Sequence, residues 1–312
     1  MTIADHAQPA TPRPIGEILE FNAEIETWFG VGGRADMLAR PHCIHELTDL
    51  LHAFAQERVR ILGDGANLLV HEDGVNGLVI CLDAFTAIET IDETDTRVVQ
   101  RVGAGVRLPR LIVDSVRNGL AGLEGLAGVP ASIGGAVRMN AGGAFGTIGD
   151  CITAVHAITR SGQRLTIPAS EIGFDYRHSG LEHLIIVAAD IEFERVGDDA
   201  RPALRERLKH VMAKKKASQP LGDDSAGCVF KNPTVRGERL SAGMLIDTAQ
   251  CKGMRIGGAV VSDVHANFVV TEEGCKPSDI VRLIGRVSEI VLMTHGVRLE
   301  PEVVFWCRDT IA

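Results

Sequence analysis

Three short segments, far apart in the chain, carry groups that together suit proton delivery to a carbanion. Ser225-Ala226-Gly227-Cys228-Val229-Phe230-Lys231-Asn232-Pro233 presents a thiol on a small, glycine-hinged turn. Tyr176-Arg177-His178-Ser179 supplies a guanidinium, and Leu299-Glu300-Pro301-Glu302-Val303 supplies a carboxylate. A thiol of ordinary pKa ~8.5 stays mostly protonated near neutrality, yet gives up its proton far more readily than an alcohol. A planar guanidinium matches a carboxylate through two parallel hydrogen bonds. A lone cysteine is usually a small buried apolar residue. That is the competing reading of Cys228.

Glycine loops fill the first half of the chain. Gly63-Asp64-Gly65-Ala66-Asn67-Leu68-Leu69 follows the strand-like run Val59–Leu62, and glycines let successive backbone N–H groups turn toward an anion. Gly103-Ala104-Gly105, the segment 128–136 and Met139-Asn140-Ala141-Gly142-Gly143 add further loops. Any one of them reads as a tight turn. Together they point to a large phosphate-bearing cofactor threaded between two lobes. Gly30-Val31-Gly32-Gly33-Arg34-Ala35 fits the dinucleotide fingerprint only formally, because Pro41 comes too early for the helix that must follow.

The elements that would position these groups alternate irregularly. Apolar spacing predicts helices over 46–56, 108–118, 203–216, 240–250 and 277–294, with Gly119 and Gly296 placed as C-terminal caps. Strand-like runs lie at 60–62, 68–70, 78–82, 97–102, 152–160, 184–194, 257–262, 266–271 and 302–306. His42-Cys43-Ile44-His45 reads as a helix start after Pro41, and no metal ligand set is expected. The order implies an α+β chain with separate sheets, not a regular β-α-β array.

Composition narrows the class. The 312 residues allow two or three domains at ~100–200 residues each, and 45% apolar with 23% charged residues is ordinary for a chain that buries real cores. A net charge of −9 argues against a general nucleic-acid binder and leaves any anion site to local Arg and Lys. The seven scattered cysteines, with no C-x-x-C pair, read as free thiols of a reducing, cytoplasmic compartment. Residues 1–17 read as a loose tail, not a signal peptide, and no run approaches the ~20 apolar residues of a membrane helix.

Taken together, Phe29-Gly30-Val31-Gly32-Gly33, the 63–69 loop, 128–143, Tyr176-Arg177-His178-Ser179, Gln219-Pro220, 225–233, His265-Ala266-Asn267-Phe268 and Pro301-Glu302-Val303 resemble the UDP-N-acetylenolpyruvoylglucosamine reductase (MurB) family. The resemblance runs from about Asn22 to Trp306. It implies an FAD-binding two-subdomain fold of the PCMH/vanillyl-alcohol-oxidase-like type with a C-terminal substrate-binding α+β subdomain. The expected boundaries are 18–83 with 303–312, then 84–215, then 216–302. Only 51 positions separate Arg177 from Cys228, as in the shorter of the family's subtypes.

The implied activity is NADPH-dependent reduction of UDP-N-acetylglucosamine enolpyruvate to UDP-N-acetylmuramate for peptidoglycan, with non-covalent FAD passing hydride to C3 and an acid protonating C2. By resemblance Arg177 binds the substrate carboxylate, Cys228 stands where serine is commoner as the acid, and Glu302 is the second catalytic group. Glu300, two residues earlier, is expected to face away. The cofactor contacts implied are Gly32, Gly33, Gly63, Asp64, Gly65, Ala66, Asn67, Leu68, Gly128, Pro130, Ala131, Gly135, Asn140 and Gly142. Tyr176, Lys216 and Asn232 are implied at the substrate. Asp64 and Ala66 replace small or hydroxyl residues, and a carboxylate beside a pyrophosphate is unfavourable unless it points away. A monomer without nucleic-acid or membrane partners is expected. The rival reading is another FAD-dependent oxidase of the same fold.

Overall fold

The computed structural model describes residues 11–308. They divide into two compact units. The first comprises the chain up to Glu20, Met37–Asp64 and Gly77–Lys214; the second comprises Phe21–Asp36, Gly65–Asn76 and the chain from Lys215 onward. Helices and strands mix in both, as expected of an α+β chain.

The first unit is built on a six-stranded antiparallel sheet. Its main order is Arg164–Pro168, Ile152–Ile158, Ile185–Arg195, Arg97–Gly103 and Ile88–Glu93, and the two-residue strand Leu120–Ala121 also pairs with Ile185–Arg195. The central strand is buried along both faces, so it reads as a nearly continuous apolar run. Ile186, Ala189, Ile191 and Phe193 join a core with the helices Leu108–Arg117 and Ile133–Arg138. Ile185 and Val187 join another core with Leu47, Leu50 and Leu51 of the helix Ile44–Ala53. There, Val59–Leu62 pairs in parallel with residues 78–81 of Val75–Cys81.

Polar groups inside this sheet fix its register. Asp190 lies opposite Arg101, which donates to it from Nε and Nη2 at 2.8 and 2.9 Å. His156 lies opposite Thr166, with Nδ1 and Oγ1 3.1 Å apart, and its Nε2 is 3.0 Å from Asp190 Oδ1. Burial alone would raise the Asp190 carboxyl pKa, but His156 and Arg101 hold it below its ordinary value. A one-residue slip of any of these strands would strand a buried charge.

The second unit packs the helices Ala242–Thr248 and Pro277–His295 against a small sheet of Arg255–Ile256, Ala259–Val261 and Val269–Thr271. The long helix buries Ile280, Leu283, Val287 and Val291, an apolar stripe at helical spacing. Pro277 opens it, and Gly296 closes it in the left-handed region at φ 68°. Val304–Trp306 pairs in parallel with Leu68–Val70.

Most predicted elements stand within a few residues of their expected limits. The glycine-dense stretch differs, because it contains the helix Ile133–Arg138, capped at Ser132, whose Oγ accepts from Gly135 N at 3.3 Å. The apolar trio Ile133, Ala136 and Val137 has helical spacing, but Gly134 and Gly135 interrupt it in a stretch that reads as turns. Arg34–Ala39 is a strand, so the formal dinucleotide fingerprint leads into no helix. His42-Cys43-Ile44-His45 is the start of a helix, as read. Part of the predicted tail, residues 1–10, lies outside the described residues. Arg13 within it is tied to Glu46, and Ile15–Ile18 forms a helical turn.

Glu46 is 2% exposed and accepts from Arg13 and from the His42 N–H at 2.7 Å. Burial would raise its pKa, but these donors outweigh it and hold the carboxyl at about 2. Since the folded value lies below the ordinary 4.5, its contribution to stability is complete above that pH and fades as pH falls toward 2. Urea unfolding of the Glu46→Gln variant is expected to show lower stability at pH 7 and a flatter dependence between pH 5 and 2 than the parent. Parallel curves for the two proteins would refute this.

Candidate active site

In the first unit, the chain leaves the strand Val59–Leu62 at Gly63, where a Cβ would sit 2.8 Å from Ser132 Oγ. The two loops therefore approach more closely than a side chain permits. Ser132 is held by the pairing of 104–108 with 131–134, in which Leu108 N donates to Ala131 O and Gly134 N to Ala104 O. A groove opens beside them. Leu62, Leu82, Leu184 and Ile186 make its apolar walls, while Ser132 and Arg138 supply a hydroxyl and a guanidinium. Apolar walls, a bare backbone approach and one cation suit a large planar group bearing phosphates. Ser132 and Arg138 are absent from the contacts inferred from sequence; the signal for them was a Ser N-cap before a short apolar helix.

The Asp64 carboxylate is paired with Arg107, whose Nη2 lies 2.9 Å from Oδ1. The charge that seemed misplaced in a phosphate loop is thus neutralised by its own neighbour. Gly128 and Pro130 are half-buried in the loop leading to Ala131, and the Gly135 N–H is already turned onto Ser132.

Two expected cofactor residues, Asn140 and Gly142, are bonded to the Arg177 turn or its neighbours. Asn140, in the left-handed region at φ 41°, donates from Nδ2 to Asp175 O at 2.9 Å and accepts from Gly149 N at 3.1 Å. Gly142 offers its carbonyl to Arg177 Nη1 at 2.8 Å. Asp175 and His178 exchange backbone bonds, so Tyr176 and Arg177 form the tip of a tight turn, with Arg177 at φ 55°. Such a backbone costs a bulky residue about 1 kcal/mol and persists because the turn is bonded on both sides. The Arg177 guanidinium lies 5.4 Å from the Tyr176 ring centroid, in cation–π range.

The second unit holds the thiol and the carboxylate. Val229 N donates to Asn267 O and Val229 O accepts from Glu302 N, both at 2.8 Å, while Lys231 N donates to Glu300 O at 2.9 Å. Cys228 pairs with Phe268, and Phe230 with Pro301, as isolated bridges. The thiol segment thus runs as a middle strand, with 265–268 on one side and 300–302 on the other. The segments that carry Cys228 and Glu302 lie side by side, with Glu302 bonded to Val229; Arg177 belongs to the first unit. Phe230 and Val229 are buried, whereas Cys228 is half-buried.

Glu302 O accepts from Asn67 Nδ2 at 3.1 Å, and Val304 N donates to Asn67 O at 3.1 Å. Asn67 therefore uses its side chain to hold the carboxylate segment, and buried Leu68 continues as the strand beside Val304. Gly65 accepts from Trp28 N at 3.2 Å, and Ala66 is half-buried beside it. Gly33 is buried where a Cβ would fall 2.3 Å from Gly74 N, a packing need, while Gly32 is exposed. Glu300 pairs with Lys231 Nζ at 2.6 Å on the surface. Alternation along a strand cannot separate it from Glu302, since residues two apart share a face. That separation comes from the break at Pro301 and the pull of Lys231. Asn232 Oδ1 accepts from Ala242 N at 2.9 Å, and Lys216 is exposed near the end of the helix Arg201–Ser218.

Residues 35–167 match the family model for an FAD binding domain, and residues 219–306 match the model for the C-terminal domain of UDP-N-acetylenolpyruvoylglucosamine reductase. The reductase of Moorella thermoacetica is 39% identical over 283 residues, covering 90% of this chain and 89% of the relative. That of Latilactobacillus sakei is 38% identical over 279 residues, covering 89% of each. The chain belongs to the UDP-N-acetylenolpyruvoylglucosamine reductase family. The crystal structure of the Thermus caldophilus reductase superposes with a TM-score of 0.76 at 36% identity, covering 90% of this chain and 95% of that one. As a family member with an FAD binding domain, the chain takes FAD as its cofactor, and the cradle of Gly63, Ser132 and Arg138 fits that group.

The Asp64–Arg107 pair makes a test. Arg107→Ala leaves an unpaired carboxylate in the 63–69 loop and, if that loop faces the cofactor phosphates, should weaken FAD retention about fivefold, the effect of ~1 kcal/mol between unit charges in water. Adding Asp64→Asn should restore it, as read by flavin fluorescence on dilution. Equal retention by all three proteins would refute the pairing role.

Proposed function

We propose that the chain is an NADPH-dependent reductase converting UDP-N-acetylglucosamine enolpyruvate to UDP-N-acetylmuramate for peptidoglycan, in the shorter subtype of the family, with Cys228 as its acid. The observation that carries the chemical part is the Val229–Glu302 backbone bond, which sets the thiol and a carboxylate on adjacent segments. When bound, FAD would be held at the Gly63, Ser132 and Arg138 cradle and would supply the hydride, drawn from NADPH, for C3 of the enolpyruvyl group. The chain's own residues handle the charge that develops. Arg177, fixed through Gly142 O and the Asp175–His178 turn, binds the substrate carboxylate, whose negative charge grows as the enolate forms. Cys228 Sγ gives its proton to C2, and Glu302, in its protonated form, donates a hydrogen bond to the same oxygens from the neighbouring segment.

Tyr176, Lys216 and Asn232 contact the nucleotide sugar in this reading. The FAD-holding parts are residues 18–83 with 303–312 and residues 84–215, and residues 216–302 bind substrate. The free cysteines support a cytoplasmic location, and a monomer is the proposed state.

An anaerobic half-reaction tests the whole. The flavin should bleach with NADPH and recolour on addition of the enolpyruvyl UDP-sugar, with formation of the lactyl product. Recolouring by oxygen alone would instead indicate an oxidase.

Cys228→Ala should slow the second half-reaction about 10²–10⁴-fold and leave the first unchanged. Parent turnover should fall on the alkaline side as the thiol ionises, and Cys228→Ser should lose that limb. An alkylating reagent should inactivate the parent, with substrate protecting. Full activity of Cys228→Ala would remove the thiol from the mechanism.

A further inference from the structure

Asn267 is 2% exposed and has no chemical role assigned above. Its Oδ1 accepts from Phe230 N at 3.0 Å, and its Nδ2 donates to Phe230 O at 2.8 Å. One residue earlier, Val229 N donates to the Asn267 backbone carbonyl and Val229 O accepts from Glu302 N. All four backbone groups of Val229–Phe230 are therefore taken, two of them by one carboxamide. The orientation of that amide is not ambiguous, because Phe230 presents one donor and one acceptor and only one setting satisfies both.

The arrangement matters because the thiol segment joins its neighbours only through isolated bridges, at Cys228–Phe268 and Phe230–Pro301. Such short pairings specify register weakly, and a slip of one residue would turn Cys228 to the other face. A carboxamide that fills both backbone groups of a single residue tolerates no slip. Asn267 is itself fixed, since its N–H donates to His265 Nδ1 at 3.2 Å. Burial holds the His265 pKa below its ordinary value, which favours the neutral ring whose Nδ1 can accept.

From this geometry we infer that Asn267 is a positioning residue for the reaction: its carboxamide locks Phe230 and thereby sets the Cys228 thiol in register with Glu302. The inference rests on the role proposed for Cys228, and its test separates the two. Asn267→Asp nearly preserves shape. As a carboxylate it turns an oxygen on the Phe230 carbonyl; once protonated it can accept from Phe230 N and donate to Phe230 O again. A buried carboxyl facing a carbonyl protonates above its ordinary pKa, so the lock should return as pH falls. Asn267→Leu has no such recovery.

The experiment follows three readouts in the flavin-loaded protein, each as a ratio to the parent at the same pH. Flavin reduction by NADPH should be unchanged in both variants. Reoxidation by the enolpyruvyl UDP-sugar should fall about 10–100-fold at pH 8 in both, the cost of a misplaced reacting group. For Asn267→Asp the ratio should recover toward one by pH 5.5. The rate of Cys228 modification by a methanethiosulfonate, located by mass spectrometry, should rise at pH 8 and return in parallel.

A ratio for Asn267→Asp that is flat with pH, or equal slowing of both half-reactions, would overturn the lock. If Asn267→Leu fails to fold, Asn267→Asp alone decides through its pH dependence. If Cys228→Ala keeps full reoxidation, the acid is another group, and the modification rate still judges whether Asn267 sets the register of Cys228.

Discussion

Glu302 has both of its backbone groups held. Its N–H is bound by Val229 O and its carbonyl by the Asn67 side chain, so segments near residues 67, 229 and 302 meet at one residue. Buried backbone groups must find partners. Here that obligation fixes the two segments to which the proposed acid and its carboxyl partner belong, because Cys228 adjoins Val229 and Glu302 is the residue so held. Loosening any one partner would release the others, since no long ladder runs through the region.

Asparagine recurs as the means. Asn67, Asn140 and Asn267 each reach main-chain groups of a distant segment with a short, neutral side chain. Asn140 braces the turn that carries Arg177, Asn67 braces Glu302, and Asn267 braces the segment after Cys228. A loop bearing a reactive group cannot rely on sheet pairing along its length. A carboxamide supplies a donor and an acceptor without adding a charge to a site meant for anions. The loops read from sequence as cofactor cradles thus also support the groups proposed to react.

The long elements were legible from apolar spacing and caps. Helix Pro277–His295 differs from its expected span by one residue, and the strands at 68–70 and 185–195 lie where the runs of Leu, Ile and Val place them. The helix Ile133–Arg138 was hidden because its first turn holds two glycines, of which Gly134 lies where a Cβ would press on the Ala104 side chain at 3.0 Å. The strand Leu19–Glu24 was missed because, apart from Ala23, its residues face solvent or lie half-buried and show no alternation. Among the site residues, Arg177, Cys228 and Glu302 stand out by type and by resemblance. The pairing of Arg107 with Asp64 leaves no such trace, since 43 positions separate them and only the fold joins them.

The parallel pairing of Leu68–Val70 with Val304–Trp306 has a consequence for how the molecule is made. Leu69 and Val70 are almost fully buried, yet the strand that pairs with them lies more than 230 positions downstream. At a synthesis rate of ~5–20 residues per second, an apolar strand waits tens of seconds on the ribosome for that partner. Throughout that interval it is an open edge of the kind that chaperones bind and that other nascent chains can pair with. Newly made chains should therefore depend on cellular folding assistance more than the stability of the finished protein suggests.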